Sequence, residues 1–167
     1  MTEFAVLNTT FNKTPLKKIF VSCGIKVQES DKSEKNSIIF PIFNTAFLVY
    51  EAKELFSGNA LDEIIVSSIV RFLSLNKNSK IILICKLDSI RDVFVYTEIQ
   101  NRLRHLNCFV NISADYFDCA QSIQEILKLY IPNVRQSIVD VIPVSTDLTC
   151  EEQENLYIIA EKLEIEL

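Results

Sequence analysis

Lys80-Ile81-Ile82-Leu83-Ile84-Cys85-Lys86 is the stretch whose reading decides the fold. Its five central residues are all apolar, so the segment has no solvent face. A strand that buries both faces is expected at the centre of a parallel sheet covered by helices on each side. The segments around it agree. Asn59 can cap a helix from Ala60 to about Leu75, with Leu61, Ile65, Ile69, Phe72 and Leu73 on one stripe. Downstream, Ser89-Ile90-Arg91-Asp92 has the form of a capping box for a helix to about Leu106, with Ile90, Val93/Phe94, Ile99, Leu103 and Leu106 as its stripe. Cys108–Ile112 reads as a second short buried strand. Ser113 is placed to cap a third helix, with Tyr116, Ala120, Ile123, Leu127 and Tyr130 facing inward and a stop at Pro132.

Upstream, Thr45–Glu51 (TAFLVYE) reads as a strand, as do Glu3–Leu7, Lys18–Ser22 and Ile38–Phe43, while Gln28–Asn36 reads as a solvated loop or hairpin. The order from Thr45 onward is therefore β-α-β-α-β-α, which implies parallel pairing with right-handed crossovers. The expected fold class is α/β, a three-layer domain over residues 1–132 with a mixed sheet whose antiparallel edge comes from the N-terminal strands. Residues 133–167 read as a short helical tail, with Pro143 breaking a helix over Val134–Val141 and Thr149–Glu152 capping a last one.

Composition excludes several classes. With 167 residues, 49% of them hydrophobic, the chain can bury a core without staples, and disorder throughout is excluded. The longest aliphatic run, Ile81–Ile84, is far too short for a membrane span, and Met1-Thr2-Glu3-Phe4 does not open a signal peptide. The expected location is the cytosol or nucleus. The chain has 2 glycines, Gly24 and Gly58, which cannot build a phosphate-cradling loop. The 5 cysteines are scattered and never form C-x-x-C, which argues for reduced structural thiols over a zinc ribbon or disulfide scaffold. His105 is the single histidine, so no multi-histidine metal site exists. No cofactor is expected.

Charge is uneven. Residues 1–112 carry 14 Lys/Arg against 11 Asp/Glu, whereas residues 113–167 carry 3 against 11. The acidic end is either a second binding surface or a solubilising helix. Lys77, Lys80, Arg102, Arg104 and His105 form the candidate phosphate-contacting group, although Arg102, Arg104 and His105 at a helix end also suit the helix dipole.

The segment Phe47-Leu48-Val49-Tyr50-Glu51-Ala52-Lys53-Glu54-Leu55-Phe56-Ser57-Gly58 resembles the XPF-type structure-specific nuclease family. In that family a strand delivers Gly-Asp, then Glu-Arg-Lys follows, and an Asp comes four residues after the Lys. The order of elements over roughly residues 37–132 is similar as well. Glu51 and Lys53 occupy the family's Glu and Lys. Ala52 replaces its Arg, Ser57 stands at the final Asp, and the region of Ser37 and Ile38 supplies no Gly-Asp. A nuclease metal needs two or more carboxylates to neutralise phosphate and activate water. The resemblance therefore implies a pseudo-nuclease with a vestigial Glu51–Lys53 motif, no catalytic or metal-ligating residues, and no enzymatic activity.

The family's non-catalytic subunits pair with a larger XPF-like chain and bind branched DNA through the complex. This chain resembles the excision-repair partner and, more closely, the small meiotic, sporulation-specific subunit of the fungal synapsis-initiation complex. The resemblance implies a nuclear protein of recombination and crossover formation, with Phe109, Ile112, Tyr116, Phe117 and Ala120 at the partner interface. The same residues also suit a wide core-facing stripe. A repair subunit and an α/β adaptor domain without DNA binding are the competing readings.

Overall fold

The computed structural model describes residues 4–57, 60–76, 78–106 and 108–130. Two compact units divide the chain: Thr2–Ile126, and Met1 with Leu127–Leu167. The architecture below is that of the first, and the expected tail over 133–167 lies outside the described residues.

The elements in order are β1 (Phe4–Asn8), α1 (Leu16–Ser22), β2 (Lys26–Ser30), β3 (Ser37–Phe40), β4 (Thr45–Glu51), β5 (Phe56–Ser57), β6 (Ala60–Leu61), α2 (Glu63–Leu75), β7 (Ser79–Ile84), α3 (Ile90–Leu103), β8 (Val110–Ser113) and α4 (Tyr116–Lys128). Six strands form one mixed sheet in the order β2-β1-β3-β4-β7-β8, and β5 pairs with β6 alone. The KIILICK segment forms β7, which runs parallel to both β4 and β8. Each of its residues Ile81, Ile82 and Leu83 is fully buried, as a strand covered on both faces requires.

Successive strand residues face opposite sides. On one face, Leu48 and Tyr50 of β4 and Ile81 and Leu83 of β7 share a cluster with Val66, Ile69 and Leu73 of α2 and Val95, Ile99 and Leu103 of α3. On the other, Phe47 packs edge-to-face on Phe40 at 5.9 Å, and Phe40 on Phe20 of α1 at 6.1 Å. Helices on both faces make the three layers of the expected α/β class.

Several local expectations are corrected. Lys18–Ser22 lies in helix α1, not in a strand. Leu16 and Phe20, four apart, fall on one helical face and are fully buried, while Lys17, Lys18 and Val21 point outward. This helix is the crossover between β1 and β2, which pair parallel, so the N-terminal edge is not purely antiparallel. Gln28–Ser30 belongs to edge strand β2 and is not loop; its exposed polar side chains hide its strand character from a hydropathy reading. Strand β3 stops at Phe40, because Pro41 opens a 3₁₀ turn and Asn44 (φ 46°) reverses the chain into β4.

The helix caps shift too. Asp62 caps α2, its Oδ1 accepting from the N–H groups of Ile64 (2.9 Å) and Ile65 (3.3 Å), so Leu61 sits in β6 and not on the helix. Ser89 Oγ does cap α3, accepting from Asp92 N–H at 3.0 Å. That helix ends at Leu103 with a 3₁₀ turn over Arg104–Leu106, and its buried stripe is Val95, Ile99 and Leu103. Ile90, Val93 and Phe94 are exposed, because the stripe begins a full turn later than the apolar residues do. The last strand runs to Ser113, and Asp115 caps α4 by accepting from Phe117 and Asp118 N–H at 2.8 and 2.9 Å. Among the described cysteines, Cys85 and Cys119 are buried, Cys108 is half-buried and Cys23 exposed, and all four are free thiols.

Candidate functional site

Parallel strands bring their carboxyl ends to one edge of the sheet, and in open α/β folds ligand chemistry gathers there. In this chain the register aligns Glu51 of β4 with Ile84 of β7, and Ile84 with Ser113 of β8. These three residues therefore lie side by side on one face at the sheet's end.

Glu51 is the charged member of the row. Its Oε2 lies 2.5 Å from Lys53 Nζ, and its Oε1 accepts a hydrogen bond from the Tyr116 hydroxyl at 2.8 Å. The Glu51 N–H donates to Glu54 Oε2 at 2.8 Å, which holds the turn that carries Lys53. The Lys53 ammonium pulls the Glu51 carboxyl below the usual range, burial opposes this, and the Tyr116 hydroxyl adds to the lowering. Lys53 is raised by the same pairing. Tyr116 is pushed well above the ordinary phenol range, first by burial and then by facing Glu51, so it remains a donor at neutral pH. Ser113 is 1% exposed, and its Oγ has no hydrogen-bond partner among the described residues.

A divalent metal at this edge would need a cluster of acidic ligands. Among the described residues no group of three or more His, Cys, Asp or Glu side chains is placed to hold one. Glu51 is already engaged by a cation and a hydroxyl, so the residues at this edge do not fit a nuclease metal.

Beside the row, the Arg91 guanidinium lies 4.0 Å from the centroid of the Phe56 ring, and Phe56 stacks on Phe94 at 6.4 Å. Leu87, in the left-handed region (φ 55°), turns the chain from β7 toward α3. Together with Ile90 (91% exposed) and Val93, these residues present an apolar surface that a core-stripe reading of α3 does not foresee. The Tyr116–Glu51 bond likewise spans 65 residues, and no spacing in the sequence announces it.

The other expected site residues are dispersed. Phe109 and Phe117 are 77% and 64% exposed, Ile112 is half-buried against the core, and Tyr116 turns to Glu51. Ala120 is 1% exposed; it faces the interior of the fold and offers a partner no surface, which corrects its expected place at an interface. Arg102 is held by Glu63 through two hydrogen bonds of 2.9 and 3.3 Å. Lys80 is half-buried on the opposite face of β7 from Ile81, and Arg104 and His105 are exposed in the turn after α3. Lys77 lies outside the described residues.

The fold is that of the XPF nuclease domains. It is similar to XPF from Aeropyrum pernix with a TM-score of 0.58 and 13% identity, covering 96% of this chain and 83% of that one. It is also similar to XPF from Aeropyrum pernix in complex with DNA, with a TM-score of 0.57 and 14% identity over 95% of this chain and 73% of that one. Residues 2–113 match the model of the family described as "Protein SPO16 homolog", and the chain belongs to that family. No curated protein sequence matches the chain.

Proposed function

We propose that this chain is a non-catalytic subunit of an XPF-like heterodimer that binds branched DNA during meiotic recombination and crossover formation in the nucleus. The observation that carries the reading is the state of Glu51. At the strand end where a nuclease of this fold needs clustered carboxylates, Glu51 is paired with Lys53 and Tyr116, Glu54 is tied to the Glu51 N–H, and among the described residues no group of three or more His, Cys, Asp or Glu side chains is placed to hold a metal. Membership of the SPO16 homolog family supports the meiotic role, and the likeness to an XPF solved with DNA supports a DNA-associated complex.

The reading is tested by co-expression with XPF-like chains of the same cell. A one-to-one complex that retains forks and junctions better than duplex, and a purified chain that cuts none of them with Mg²⁺ or Mn²⁺, is the expected result. Metal-dependent cleavage by the chain alone, lost on Glu51→Ala, would refute the non-catalytic assignment. The pairing of Arg102 with Glu63 favours a second reading, an adaptor domain that makes no DNA contact of its own. That reading gains if the complex binds forks equally well when Lys80 and Arg104 are both replaced by Ala.

A further inference from the structure

The sequence around β8 is one that pairs readily with other strands. Cys108-Phe109-Val110-Asn111-Ile112-Ser113 holds β-branched and aromatic residues and has no charge, proline or glycine. A stretch of this composition invites a second strand wherever a sheet edge offers a free row of N–H and C=O groups. Among the described residues β8 stands last in the strand order, beyond β7, so its far side is such an edge. The other end of the sheet, β2, carries exposed charged side chains at Lys26 and Glu29, which discourage edge pairing. No charge of that kind lies on β8.

One bond fixes which main-chain groups face outward. The Ser113 carbonyl accepts from Cys85 N–H at 2.9 Å, so Ser113 turns its main chain toward β7. Main-chain groups alternate in direction along a strand, so Asn111 also faces β7, while Val110, Ile112 and Ala114 face out. Two side chains reach this outer row from the helices on either side of β8. Val110 N–H donates to Gln100 Oε1 of α3 at 2.9 Å, and Gln100 Nε2 donates to the Cys108 carbonyl at 3.2 Å. At the other end, Ala114 N–H donates to Asp118 Oδ2 of α4 at 2.8 Å.

An added strand would need the same donors. A ladder along β8 takes the N–H groups of Val110, Ile112 and Ala114 in turn, and the first and last are already bonded. At most the rung at Ile112 is left, which is too little to hold a strand in register. Gln100 and Asp118 are each half-buried, so a strand that displaced them would strand their polar groups away from full hydration.

We propose that Gln100 and Asp118 close the outer edge of β8 against strand addition. A protein that meets this side of the chain, a second copy included, packs on side chains and does not extend the sheet. Phe109 and Phe117, exposed toward the two ends of the strand, are the side chains it meets first. The closure acts in the isolated chain, so the assignment stands apart from the DNA-binding reading.

The test is sedimentation velocity of the full chain beside the double variant Gln100→Met with Asp118→Ala, which removes both acceptors. The double variant is expected to self-associate at least about tenfold more tightly than the wild type. Adding Phe109→Lys, a charge at the edge itself, should return the association to the wild-type level. Each single variant is expected to show the same change more weakly, so loss of folding in the double variant leaves the test intact. A capped peptide of residues 108–113, added to the nitrogen-15-labelled wild type as a strand probe, should leave the Val110, Ile112 and Ala114 N–H signals in place. The proposal is overturned if no variant associates more tightly than the wild type, if Phe109→Lys fails to reverse the association, or if the peptide shifts those signals saturably in the wild type.

Discussion

Glu51 keeps its charge because its two neighbours favour the carboxylate over the acid. With the folded pKa below the unfolded one, the stabilisation is present above the ordinary carboxylate range and disappears as pH falls through the folded value. The urea midpoint advantage of the wild type over Glu51→Gln should therefore shrink between about pH 6 and about pH 3. Its size is small, at most about 1 kcal/mol, because the Lys53 side chain is 76% exposed and solvent screens the pair. Tyr116→Phe should cost about 1 kcal/mol and raise the Glu51 pKa, read from the carbon-13 shift of its carboxyl group. Glu51 and Lys53 are two residues apart and could be singled out in sequence. Tyr116 could not, because only the parallel register of β4, β7 and β8 brings α4 over the end of β4.

At the scale of elements, the edge of the sheet is finished by a side chain. The Gln100 Oε1 of α3 accepts from the Val110 N–H at 2.9 Å, and its Nε2 donates to the Cys108 carbonyl at 3.2 Å. The carboxamide thus takes the place of a neighbouring strand at the start of β8. Gln100→Ala leaves the Val110 N–H without this partner and should cost about 1–3 kcal/mol, with faster hydrogen exchange at Val110 as the specific readout. Helix α1 makes a different point. Lys18–Ser22 contains β-branched and aromatic residues in a run too short to show a period, and burial of the pair Leu16 and Phe20 decides for the helix. Phe20→Ala should cost about 3–5 kcal/mol, whereas Val21→Ser, on the exposed side, should change stability by less than about 0.5 kcal/mol in the same denaturation experiment.

For the whole molecule, the question is which surface a partner covers. Phe109 and Phe117 stand exposed near the two ends of edge strand β8, and exposed aromatics of this kind are common interface anchors. Phe109→Asp combined with Phe117→Asp should reduce recovery of the XPF-like partner by at least about tenfold, the effect of losing roughly 1.4 kcal/mol, while the melting curve of the chain stays in place. Equal recovery, with loss instead on Ile90→Asp and Phe94→Asp, would move the interface to the start of α3. What the sequence by itself determined is the class of fold: a strand apolar on both faces has only a covered parallel sheet to occupy, and the alternation of strand and helix sets the crossovers around it. It also marked Glu51 and Lys53, since their chemistry is local. Only the tertiary structure decided which apolar residues of α3 stay outside, that α1 is a helix, and that Tyr116 closes on Glu51. Each of those outcomes depends on how one element rotates or registers against another, and that energy comes from burial and hydrogen bonds between residues far apart in the chain.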